Sequence, residues 1–136
     1  MAEASRQRDA ERKWVGSTAT GRPTFAEAQQ LDRQGIPSCH AWKVPGEAVP
    51  SHLSAAAALR LWQADACALC SASRRRLLVD HCHRTGLIRG LLCTSCNTAE
   101  AHSGAAAFAA YRERPPTAML GIKEQYGSAW DGFGAS

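Results

Sequence analysis

Two CxxC pairs, Cys67-Ala68-Leu69-Cys70 and Cys93-Thr94-Ser95-Cys96, stand 22 residues apart and constrain this chain more than anything else in it. Each CxxC turn points two sulfurs at one spot, and tetrahedral zinc takes four soft thiolates. The interval is about what an antiparallel hairpin needs to carry the chain out and back. A core this small buries little apolar area, so a metal ion would contribute much of its folding free energy. The alternatives are a redox dithiol or disulfide pairing among the six cysteines. Met1 to Lys13 is polar and charged, without the apolar run of a secretory signal. That argues for a reducing cytoplasm, where closely spaced cysteines more often bind metal. Structural zinc on Cys67, Cys70, Cys93 and Cys96 is therefore expected. No run of about 18 apolar residues offers a membrane span.

Between the two pairs, Leu77-Leu78-Val79 opens a strand and Leu87 to Leu92 forms its partner, with His83-Arg84-Thr85-Gly86 as the link. A helix is expected to begin near Asn97. On a regular strand His81 and His83 share one face and Asp80 takes the other, so a site using Asp80 with His81 requires the pleat to break there. The residue types suit hydrolysis of a phosphodiester. Imidazole is a fitting general base near neutral pH, a role for His81. Carboxylate and amide oxygens suit magnesium, a role for Asp80 and Asn97. Glu100, three residues on, shares a helix face with Asn97 and could hold a metal-bound water. Each residue also has a plainer reading: Asn97-Thr98-Ala99-Glu100 fits a helix capping box, Asp80 a turn, and either histidine a half-buried packing role. The combination inside a cysteine frame favours the chemical reading.

The formal net charge of +4 is modest. Residues 61–104 carry five arginines (Arg74, Arg75, Arg76, Arg84, Arg89) against three acids (Asp65, Asp80, Glu100), a bias suited to a polyanion. Residues 1–50 read as an N-terminal extension with linkers. Thr24-Phe25-Ala26-Glu27 caps a helix there that ends at Gly35. Arg22 and Arg33 read as a solvated face, and Cys39-His40 as ordinary residues. Ser51 is expected to cap an alanine-rich helix over 52–64 with Leu53, Ala57 and Leu61 buried, and Trp62 to pack against the knuckle formed by the CxxC turns. Ala105 to Arg112 forms another helix, ended by Pro115-Pro116. Residues 51–116 make the central domain and 117–136 a tail.

At CALC and VDHCHRTGLIRGLLCTSCN the sequence resembles the phage recombination endonuclease VII family of ββα-metal (His-Me finger, broadly HNH) nucleases. Cys82 stands where members of that family commonly carry an acid. The resemblance implies an α+β fold, a small zinc-stapled ββα-metal core with flanking helices. It implies zinc on the four cysteines, a divalent Mg²⁺ or Mn²⁺ on Asp80 and Asn97, and His81 as general base. His83 and Glu100 would support them, and Arg89 would face the DNA backbone or brace the site. DNA is the implied partner, a homodimer is an admissible state, and the setting is the cytoplasm of a bacterium or phage-infected host. The competing class is a catalytically silent zinc module that binds DNA or a partner protein, for instance in phage DNA packaging.

Overall fold

The structure, a computed structural model, describes residues 2–16, 18, 21–73 and 75–127. Its centre is the expected hairpin and helix. Strands β1 (Leu77–His81) and β2 (Ile88–Cys93) pair antiparallel, and helix α4 (Thr94–Glu100) follows at once. Gly86 makes the turn at φ 78°, a conformation most side chains resist. Its N–H donates to the Cys82 carbonyl at 2.7 Å, and the Cys82 N–H donates to the Leu87 carbonyl at 2.9 Å. The pleat does break: Asp80 pairs with Gly90 but His81 pairs with Ile88, leaving Arg89 as the extra residue of a bulge.

Helix α4 begins earlier than expected. Cys93 is its cap residue and Thr94 its first, because the second CxxC turn is already the helix's first turn. Asn97 therefore sits inside the helix, and no capping box forms with Glu100.

Helix α3 (Ala55–Gln63) corrects two further expectations. Its cap is Ser54, whose Oγ accepts from the Ala57 N–H at 3.2 Å, not Ser51. Residues 50–53 are instead a turn closed by the Leu53 N–H on the Pro50 carbonyl. The buried face is Ala55, Ala58, Leu59 and Trp62, while Leu53, Ala57 and Leu61 are only half-buried. Both stripes have helical spacing, and the one carrying an indole buries more apolar surface. Trp62 packs edge-on to Trp42 at 5.3 Å, in one buried cluster with Cys67, Leu69 and Cys93. The next residue, Gln63, finishes the outer edge of β2: its Oε1 accepts from the Leu91 N–H at 2.9 Å and its Nε2 donates to the Leu91 carbonyl at 3.0 Å. One buried amide thus stands in for a third strand at that point.

The first fifty residues are joined to this core. Helix α1 (Ala2–Val15) buries Trp14, whose indole donates to the Glu47 carbonyl. Helix α2 (Phe25–Arg33) has the Thr24/Glu27 capping box. A 3₁₀ turn (Ser38–Ala41) docks on the first CxxC through the Cys39 N–H to the Ala68 carbonyl at 2.8 Å. Arg22 is not a solvated charge. Its guanidinium lies 4.4 Å over the Trp42 ring and donates to the Trp62 and Gln63 carbonyls at the end of α3.

Helices α5 (Ala106–Glu113) and α6 (Pro116–Leu120) close the other side. A Cβ on Gly90 would stand 2.8 Å from Pro116 Cγ, so α6 lies on β2 because residue 90 has no side chain. The segment that follows, expected as part of a tail, runs along the hairpin. Glu124 accepts from the Ile88 N–H at 2.9 Å, Gln125 bridges Leu87, and the Tyr126 N–H donates to the Gly86 carbonyl at 2.7 Å. Arg74 and residues 128–136 lie outside the described residues. Among the described residues, no helix is long and apolar enough to cross a membrane.

Candidate metal centre and active site

The hairpin brings the two CxxC turns together, and the four Sγ atoms lie within 4.8 Å of one another. Cys70 and Cys93 Sγ are 3.8 Å apart, which is the edge of a tetrahedron whose centre-to-sulfur distance is about 2.3 Å, that of zinc. Their protonation points the same way. Hydrogen bonds from Cys67 and Cys96 hold the Cys70 thiol down at about 4. The bond to Cys70 pushes Cys67 up, and the bonds to Cys67 and Cys70 push Cys96 up. Thiols this close oppose one another's ionisation, and a cation among them relieves that repulsion. The residues fit zinc.

Cys39 and Cys82 stand outside this group. Burial pushes the Cys39 thiol up to about 12, that of a neutral packing residue. Cys82, at the hairpin turn, is held near 7 by its side-chain hydrogen bond with Thr85.

The second centre is a cavity of about 220 Å³ between the bulge and α4, lined by Asp80, His81, His83, Asn97, Glu100 and His102 among others. All five residues singled out from the sequence therefore meet on one cavity. Asp80 is 3% exposed. Its Oδ2 accepts from Arg89 Nε and from the Tyr111 hydroxyl, each at 2.8 Å, and its Oδ1 accepts from Arg89 Nη2 at 3.2 Å. Burial pushes its carboxyl upward, and Arg89 and Tyr111 pull it back. Arg89 Nη2 also donates to Glu100 Oε1 at 2.8 Å and to the His81 carbonyl at 3.1 Å. Glu100 in turn takes Arg112 Nε at 2.8 Å. The result is a line of alternating partners, Tyr111, Asp80, Arg89, Glu100 and Arg112, behind the cavity.

A carboxylate offers about four acceptor positions, so the three bonds to Asp80 leave one open on Oδ1. The half-buried Asn97 side chain makes no hydrogen bond among the described residues. A carboxylate and an amide oxygen on one cavity fit a hard divalent cation. His81 is half-buried, with its ring stacked on Tyr126 (centroids 4.1 Å, 3°) and on His83 (4.8 Å, 9°). Burial first, and His83 second, hold its imidazole below the ordinary histidine value, in the neutral form near pH 7.

Of the arginines, Arg75, Arg76 and Arg84 are exposed. Arg89, expected to face DNA or to brace the site, is 9% exposed and braces it. Sequence alone assigns no site role to Tyr111, Arg112 or Tyr126. Tyr111 was legible only as one face of a helix, and its acidic partner lies 31 residues away.

The family model for recombination endonuclease VII matches residues 47–115, half of the chain. Two curated relatives, each named Gene 59 protein and found in Mycobacterium phages D29 and L5, are 51% and 49% identical over 39 residues. That alignment covers 26% of this chain and 24% of each relative, so the chain spans about a quarter of their length. No solved structure matches it.

Proposed function

This chain belongs to the recombination endonuclease VII family, and on that premise we propose that it is a DNA endonuclease hydrolysing phosphodiester bonds by a one-metal, His-Me finger mechanism. The observation that carries the reading is the single cavity shared by Asp80, His81, His83, Asn97 and Glu100. The nuclease domain is taken as 51–116, with its flanks packed on it through Trp14, Trp42 and Tyr126.

Neutral His81 takes the proton from the attacking water, which requires an unprotonated ring nitrogen at working pH. Asp80 and Asn97 would hold Mg²⁺ or Mn²⁺, which when bound offsets charge on the phosphate and on the departing 3′ oxygen. Arg89 holds Asp80 and Glu100 in place and opposes the upward push of burial on the Asp80 carboxyl. His83, exposed at the cavity mouth, reaches toward phosphate oxygens. Arg75, Arg76 and Arg84, with Arg74, contact the DNA backbone. Zinc on the four cysteines is structural.

One observation favours the silent zinc module: Asp80 is already engaged by a guanidinium and a phenol. The two readings separate in one assay on supercoiled, linear and four-way-junction DNA. With Mg²⁺ or Mn²⁺ the protein should nick or cut. His81→Ala should lose about 10²-fold or more with an unchanged melting curve. Salt-sensitive DNA binding without cleavage under any divalent ion would establish the silent module instead.

A further inference from the structure

We propose that Tyr126 is a positioning residue for His81, fixing the plane of the imidazole that abstracts the proton; this rests on the nuclease reading above. A histidine acting as a base is ordinarily oriented by a hydrogen bond at its far ring nitrogen. Among the described residues neither ring nitrogen of His81 has such a partner. What touches the ring is two other rings lying parallel to it, Tyr126 at 4.1 Å and His83 at 4.8 Å. Turning the imidazole about its last torsion would drive its edge into the phenol.

The two neighbours differ in how firmly they are held. His83 is exposed on the hairpin turn beside the residue it would steady. Tyr126 arrives from far along the chain on a segment pinned at three points. Its own N–H bonds the Gly86 carbonyl at 2.7 Å, and the Glu124 carbonyl accepts from Ile88 at 2.9 Å. The Glu124 carboxylate accepts from the Ala55 N–H at 3.0 Å, at the start of α3. Tyr126 also falls outside residues 47–115, so it is a feature of this chain that the family match does not supply.

The test uses the full zinc-loaded chain with Tyr126→Phe, Tyr126→Leu and His81→Ala. Steady-state plasmid nicking gives kcat and KM, and histidine-labelled NMR without added divalent ion gives the His81 Cε1–H shift. Tyr126→Phe should behave as the parent. Tyr126→Leu should keep KM and lower kcat between about 10- and 100-fold, the loss expected of a misplaced reacting group. Its His81 proton should move downfield by the phenol's share of the ring-current shift. Equal kcat in the leucine and phenylalanine variants, or an unmoved His81 resonance, overturns the proposal. Should the leucine variant not fold, the parent decides: a His81 proton resonating with that of the exposed His102 means there is no stack. A parent that cleaves nothing defeats the nuclease reading, while the NMR arm still reports on the ring.

Discussion

Arg89 is where the electrostatics of the site are decided. Asp80 and Glu100 are 3% and 5% exposed, and one guanidinium binds both. Breaking a buried ion network by removing one partner typically costs about 3–5 kcal/mol, because the remaining charge is left without compensation. Arg89→Leu should therefore lower the free energy of urea unfolding by about that much at neutral pH. The sign of its pH dependence follows. Without Arg89 the Asp80 carboxyl, already pushed upward by burial, rises further above its unfolded value. Holding it ionised then costs stability above that unfolded value, and the deficit shrinks as pH falls and the group protonates. A deficit of equal size at pH 7 and pH 4.5 would mean that lost packing, not charge, is responsible. The sequence made each of these residues visible singly. It could not show that they pair, because the line from Tyr111 to Arg112 forms only after a bulge turns Arg89 toward α4 and α5 brings up Tyr111.

At the level of elements, local signals were legible wherever one candidate stood alone. The Thr24/Glu27 capping box, the glycine turn at residue 86 and the two apolar strands all appear where their residues indicate. The break in the pleat was legible too, because Asp80 and His81 could share a site only if the alternation failed. Ambiguity arose where two signals competed. Ser51 and Ser54 both precede the alanine run, and the choice is made by a partner remote in sequence: the Glu124 carboxylate takes the Ala55 N–H. Ser54→Ala should accordingly cost about 1 kcal/mol of stability, the usual value for a lost N-cap, and Ser51→Ala nothing measurable by chemical denaturation. The reverse order would place the helix start where the sequence first suggested. The segment at 122–126 was legible only as part of a short apolar piece, since a single backbone bridge looks like any loop until its pairing partner is known.

The whole molecule depends on how far the influence of four sulfurs extends. Ser38 and Cys39 bond the backbone of the first CxxC, and Trp42, Trp62 and Trp14 lie in one buried cluster with Cys67 and Cys93. Leu91 connects that CxxC to the strand bearing the site, through the Ala68 N–H at 3.1 Å. Among the described residues, bonds from Cys39 to Ala68 and from Arg22 to Gln63 join the part before residue 51 to the part after it. Structural zinc contributes on the order of 10–16 kcal/mol in small domains, at or above the whole stability of a domain this size, about 5–15 kcal/mol. Stripping the metal with a strong chelator should therefore unfold the N-terminal part together with the knuckle. Helical circular dichroism should fall and tryptophan emission shift to the red in a single transition, with one zinc released per chain. Cys70→Ser should show the unfolded signature from the start. If tryptophan emission stayed native while zinc was lost, residues 1–50 would hold their own core, and the sulfur clamp would organise only the hairpin and α4.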